Sequence, residues 1–146
     1  MNIVIQLLAS FAASFFFSLL FNQPRKTIPV SASIALIGYG IFMFLNQTTV
    51  GFFFSTLFMA IACEIAARLM KKATPIFLVT AIIPIIPGVG LYRTVRYIVE
   101  GNYSMAAHTG TDALLGILAV ALAITFSSLL FANIPHHTTT KGNNAQ

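Results

Sequence analysis

Apolar runs of roughly twenty residues, separated by short polar stretches, set the pattern of this chain. The first run covers 3–21, and Gln6 is its one strongly polar side chain. A helix of that length rises about 1.5 Å per residue and matches the ~30 Å hydrocarbon core of a bilayer. No Lys or Arg precedes it, and it is longer than the apolar part of a secretory signal, so it reads as a span. The polar stretch that follows holds Pro24, Arg25, Lys26 and Pro29 and turns the chain. A second, shorter run covers 29–45, where Gly38 and Gly40 flank Tyr39 and point to a close helix contact or a local bend. Asn46, Gln47 and Thr48 make an uncharged turn. The third run, 49–70, holds Glu64 and Arg68 near its end, and Lys71 and Lys72 follow at once. The fourth covers 75–99, with Pro75 suited to a first helical turn. The fifth, 104–132, starts polar at His108, Thr109, Thr111 and Asp112 and is apolar from 114 to 131. Small residues recur four apart at Ala9 and Ala13, Ser14 and Ser18, and Ala119 and Ala123, a spacing that lets helices approach closely in lipid.

The pattern predicts an all-α integral membrane protein with about five transmembrane helices. Residues 1–132 form the membrane domain, and the polar stretch 133–146 is expected to be a disordered tail. The basic residues between runs one and two, between runs three and four, and in the tail (Lys141) would then share one side. That places the N-terminus outside and the C-terminus in the cytoplasm.

The fourth run differs from a plain anchor. It carries Pro84, Pro87, Gly88 and Gly90 within seven residues, then Tyr92, Arg93 and Arg96. Each proline removes a helix hydrogen bond and crowds the preceding turn. Lipid offers the freed groups no partner, so the segment should break near Pro87 and Gly88, buried in protein or lining a wet cavity. Membrane helices broken in this way build substrate and ion sites in transporters. A kinked structural helix is the alternative, since proline and glycine are common in membrane helices.

Composition agrees with the pattern. Of 146 residues, 58% are hydrophobic and only 8% charged, against about a quarter charged in soluble domains. Mean hydropathy is +0.89. The net charge of +5 sits mostly beside apolar runs, which points to orientation in the bilayer and away from nucleic acid. Cys63 is the single cysteine, so no intrachain disulfide can form.

The ionisable groups in or beside the spans are candidates for function, because they are costly there. Glu64 and Arg68, four apart, face each other on one helix side. They form either an interfacial pair or a carboxylate that takes up protons from a cavity. His108 and Asp112 also stand four apart, as a proton-handling pair or a solvated helix end. Arg93 and Arg96 share a face and suit a substrate carboxylate through paired hydrogen bonds; otherwise they sit at the outer interface beside Glu100. His136 and His137 lack the further ligands a metal site needs, and no metal or other cofactor is expected. No catalytic motif stands out, so an enzyme is not expected.

The FNQP loop at 21–24, the glycine-bearing second span and above all TAIIPIIPGVGLY at 80–92 resemble the threonine/serine exporter family. The likeness is to its short form, which corresponds to the C-terminal half of the full-length exporters. It implies a proton-driven secondary exporter in a bacterial inner membrane, acting with a larger subunit that resembles the N-terminal half. The implied substrates are small amino acids or dicarboxylates such as succinate. By motif, Pro84, Pro87, Gly88 and Tyr92 carry over as the core of the broken helix, with Gly90 shaping the same site. Glu64, Arg93, Arg96, His108 and Asp112 fall outside any such motif and rest on the physical argument. A five-span half with a broken helix should need a partner, either the larger half or another copy in a higher oligomer. A non-transporting assembly subunit is the rival reading.

Overall fold

A computed structural model describes residues 2–132; the tail, with His136, His137 and Lys141, lies outside the described residues. The helices are α1 (Ile3–Leu20), α2 (Ile28–Phe44), α3 (Thr49–Met70), α4 (Thr74–Ile82), α5 (Gly88–Val99) and α6 (Tyr103–Ala132). A 3₁₀ turn, Ile83–Ile85, follows α4. No strand occurs among the described residues. Helices α1, α3 and α6 are long and apolar enough to cross a membrane. The α4 and α5 pair makes a fourth such segment, bent by 48°, and α2 is a shorter apolar helix. At 17 residues α2 meets the lower length for a span.

Four helices end in the same way. Asn22, Asn46, Lys71 and Gly101 adopt left-handed φ angles of 52°, 53°, 52° and 75°. The next N–H then reaches back five residues: Gln23 to Ser18, Gln47 to Phe42, Lys72 to Ala67 and Asn102 to Tyr97, at 2.9–3.1 Å. This closure satisfies carbonyls that a helix end otherwise leaves open. It reverses the chain within a few residues, so successive helices run antiparallel.

The interior is built from small side chains and the outside from large ones. On α6 the buried residues are Ala106, Ala113, Gly116, Ala119, Ala123 and Ser127, while Leu118, Leu122 and Leu129 point outward. Helix α1 buries Ser10, Ser14 and Ser18. Lipid gives leucine no reason to hide, so close backbone approach and dispersion hold the helices together. The tightest approach is at Gly38 of α2. There a Cβ would collide with Met59 of α3, and the Ser55 hydroxyl donates to the Gly38 carbonyl at 2.7 Å. Larger buried side chains, among them Ile34, Phe42, Met59, Phe77 and Ile85, fill the junction of α2, α3, α4 and the 3₁₀ turn.

Helix α6 runs in the same direction as α3. A Cβ on Gly116 would lie 3.1 Å from the Phe52 ring at one end, and Arg68 bonds the Phe131 carbonyl at the other. The first ten residues of α6 therefore extend about 15 Å past the start of α3. Helix α5 returns along this extension, with Gly90 against Ala113 and Thr94 against Gly110. It packs chiefly on α6 and buries none of its own residues. Because the bend is only 48°, α5 continues the direction of α4 instead of turning back.

Candidate functional site

The break follows from the two prolines. Pro84 has no N–H for the Thr80 carbonyl, and Pro87 has none for that of Ile83. Helix α4 therefore tightens into the 3₁₀ turn, and Ile86 leaves helical geometry at φ −55°, ψ 126°. The Gly88 N–H bonds the Ile86 carbonyl at 2.7 Å, and α5 begins as the Leu91 N–H bonds Pro87 at 3.2 Å. Gly88 is exposed, and a Cβ there would meet nothing within 4 Å.

The 3₁₀ turn packs on α1 and α2. Between them lies a cleft of about 260 Å³, lined by Ile5, Gln6, Ala9, Ser10 and Ala13 of α1, Tyr39 of α2, and Pro84. The Ser10 hydroxyl donates to the Leu7 carbonyl at 2.8 Å. The Oε1 atom of Gln6 is buried and has no hydrogen-bond partner.

A second cleft, about 460 Å³, lies at the other end of α4, between Phe21, Asn22 and Pro24 of the first loop and Pro75, Ile76 and Val79. Gln23 and Thr80 also line it. The Gln23 amide donates to the Ser31 hydroxyl at 2.9 Å, and its oxygen accepts from Thr80 at 3.3 Å. All three side chains are buried. This network ties the first loop to α2 and α4.

The residues singled out in the sequence fall in four places. Pro84 lines the first cleft, and Pro87 and Gly88 follow it. Gly90 sits in the seam between α5 and α6. Tyr92, Arg93 and Arg96 are exposed on α5, where the Arg96 Nε donates to Glu100 at 2.7 Å. His108 and Asp112 lie 3.1 Å apart and exposed on the α6 extension. Glu64 is buried at the far end, 3.8 Å from Arg68. Arg68 in turn donates to the Phe131 carbonyl at 3.2 Å and lies over the Phe131 ring. A cation at the last carbonyls of α6 complements that helix's dipole. Gln23, Ser31 and Thr80 were not anticipated as a group, since nothing in the pattern couples positions 57 residues apart.

The family model described as "Threonine/Serine exporter, ThrE" matches residues 6–130. The chain belongs to the threonine/serine exporter family. No curated protein and no solved structure matches it. The matched region includes the break, the second cleft, all of the first cleft's lining but Ile5, and Glu64, Arg68, Arg93, Arg96, His108 and Asp112. The chain is thus a multi-pass membrane protein of a transporter family.

Proposed function

We propose that the chain is the smaller half of a two-part exporter in a bacterial inner membrane. It carries small amino acids such as threonine and serine, or dicarboxylates such as succinate, outward at the expense of the proton gradient. The observation that carries this reading is the fourth span, interrupted at Pro84 and Pro87 beside a cleft that holds a polar side chain. Need for a larger partner subunit is supported by α5, which leaves Leu91, Val95 and Ile98 uncovered beside the exposed Arg93 and Arg96. Neither water nor lipid suits both of those faces. With that partner in place, Arg93 and Arg96 would hold the substrate carboxylate, Tyr92 would line the same path, and Asp112, His108 or Glu64 would carry the proton. The exposed cations Arg25, Lys26, Lys71 and Lys72 gather at the end where α3 and α6 finish, which supports a cytoplasmic position for that end.

The test is efflux of labelled serine, threonine and succinate from preloaded cells. The chain is expressed alone, with its larger partner, and not at all. The reading expects efflux only with both proteins, collapsing when the proton gradient is dissipated. No efflux of any of the three, with both proteins shown in the membrane, would favour an assembly subunit.

A further inference from the structure

We infer that the cleft between the first loop and the start of α4 binds an anionic phospholipid, with its phosphate among Arg25, Lys26, Lys71 and Lys72 and the beginning of an acyl chain against Phe21 and Val79. The site does not depend on which solute the chain carries, or on whether it carries one. At about 460 Å³ the cleft falls within the ~300–1,000 Å³ range of small-molecule sites. It runs from Pro24 and Pro75 at the level of the loops to Val79 and Thr80, about 7 Å along α4. Phe21 and Val79 are 58% and 51% exposed, so the apolar wall is uncovered. The buried polar side chains of the lining are already engaged: Gln23 donates to Ser31 and accepts from Thr80. A small polar solute would find few partners here, whereas hydrocarbon fits. Charge decides the headgroup. Arg25 follows Pro24 directly and Lys72 stands three residues before Pro75, so each of the two loops that meet at the cleft carries two exposed cations. The chain has three acidic side chains, and each lies beside another cationic or basic group: Glu64 by Arg68, Glu100 by Arg96 and Asp112 by His108. Among the described residues no carboxylate side chain is left for the four loop cations. A phosphate at the membrane surface supplies the missing charge, and basic pockets between helices at that level hold such headgroups. A second protein surface would have to bring an acidic cluster and an apolar wedge together, while an anionic phospholipid carries both in one molecule.

The chain has no tryptophan, so a single one is a clean reporter. Phe21→Trp puts it on the cleft wall, and Phe126→Trp puts it on the exposed face of α6 as a control. The full chain is reconstituted in phosphatidylcholine bilayers in which a fixed small share of the lipid is brominated phosphatidylglycerol or brominated phosphatidylcholine. Bromine on the acyl chain quenches a nearby tryptophan. The ratio of the two quenching effects gives the preference for anionic lipid at that spot, and depth cancels. One cation engaged with the phosphate is worth about fivefold. The expected ratio is therefore at least about five with Phe21→Trp and near unity with Phe126→Trp. The fourfold variant Arg25→Gln, Lys26→Gln, Lys71→Gln and Lys72→Gln should bring the first ratio to the level of the second. If that variant does not insert, ~1 M salt on the unaltered loops should do the same, because it shortens the screening length to ~3 Å. Val79→Trp gives the same reading if Phe21→Trp fails to fold. A ratio near unity at the cleft, an equal preference at both reporters, or a preference that survives neutralisation or salt overturns the inference. So does loss of quenching at the cleft once the larger subunit is reconstituted alongside, which would assign the cleft to that protein.

Discussion

Buried hydroxyls and amides do at Gln23 what apolar burial cannot do in lipid: they fix which surfaces meet. The Gln23 amide bridges Ser31 and Thr80 with both of its ends. Thr80 can also turn its hydroxyl to the Phe77 carbonyl, so the loss of Gln23 is softened on that side. Gln23→Leu should therefore cost about 1–2 kcal/mol, between a normal hydrogen bond and a fully orphaned group. Thermal unfolding in detergent would register this as a lower midpoint, and an unchanged midpoint would remove the network from the account. At this scale the sequence was partly legible. Gly38 was read as a close contact or a local bend, and it is a close contact, because only a missing Cβ lets α2 and α3 pack over Met59. Gly40 looked equivalent, yet a Cβ there would make an ordinary contact with Leu7 at 3.5 Å. Gln6 was visible as a polar exception in α1. Its neighbours across the cleft were not, since they come from α2 and the break.

Among the elements, α5 and the start of α6 stand apart. They form a hairpin that meets through Gly90, Thr94, Gly110 and Ala113, with Thr94 also donating to Thr109 at 3.2 Å. A Cβ built on Gly110 lies 4.0 Å from that of Thr94, within the 3.5–4.5 Å range that a disulfide needs. In a background with Cys63→Ala, the pair Thr94→Cys and Gly110→Cys should cross-link under mild oxidation. The shift would appear as faster migration on a non-reducing gel; no cross-link would mean that α5 is placed elsewhere. The helices themselves were legible from the apolar runs, and so was the break, because proline acts through local chemistry that needs no partner. The extension of α6 past α3 was not. Its polar start marked a change of surroundings at Asp112, but only the contact of Gly116 with Phe52 shows that α3 starts near that level. The exposed arginines follow from the same geometry: they ride on a helix that leaves the bundle's interior, away from the cleft that Pro84 lines.

For the whole molecule, the distribution of side-chain size is the clearest physical signature. Alanine and serine dominate the inward faces and leucine faces out, with Phe42 and Phe77 the large exceptions in the interior, as expected where the solvent is hydrocarbon. Glu64 shows how a charge is kept in such a fold: its guanidinium partner is itself anchored on the end of α6. The architecture was thus readable from apolar run lengths and proline positions. The assembly of the site was not, because its walls come from three elements and its outer face lies open. The central claim is that the break lines the substrate path. Gly88→Cys in the Cys63→Ala background tests it most directly, since Gly88 has open space for a side chain. The measurement is the rate at which a water-soluble thiol reagent modifies this cysteine in membranes that also hold the larger subunit. The account predicts modification that saturating serine or succinate slows several-fold. A cysteine that never reacts, or reacts equally fast with and without either solute, would contradict it.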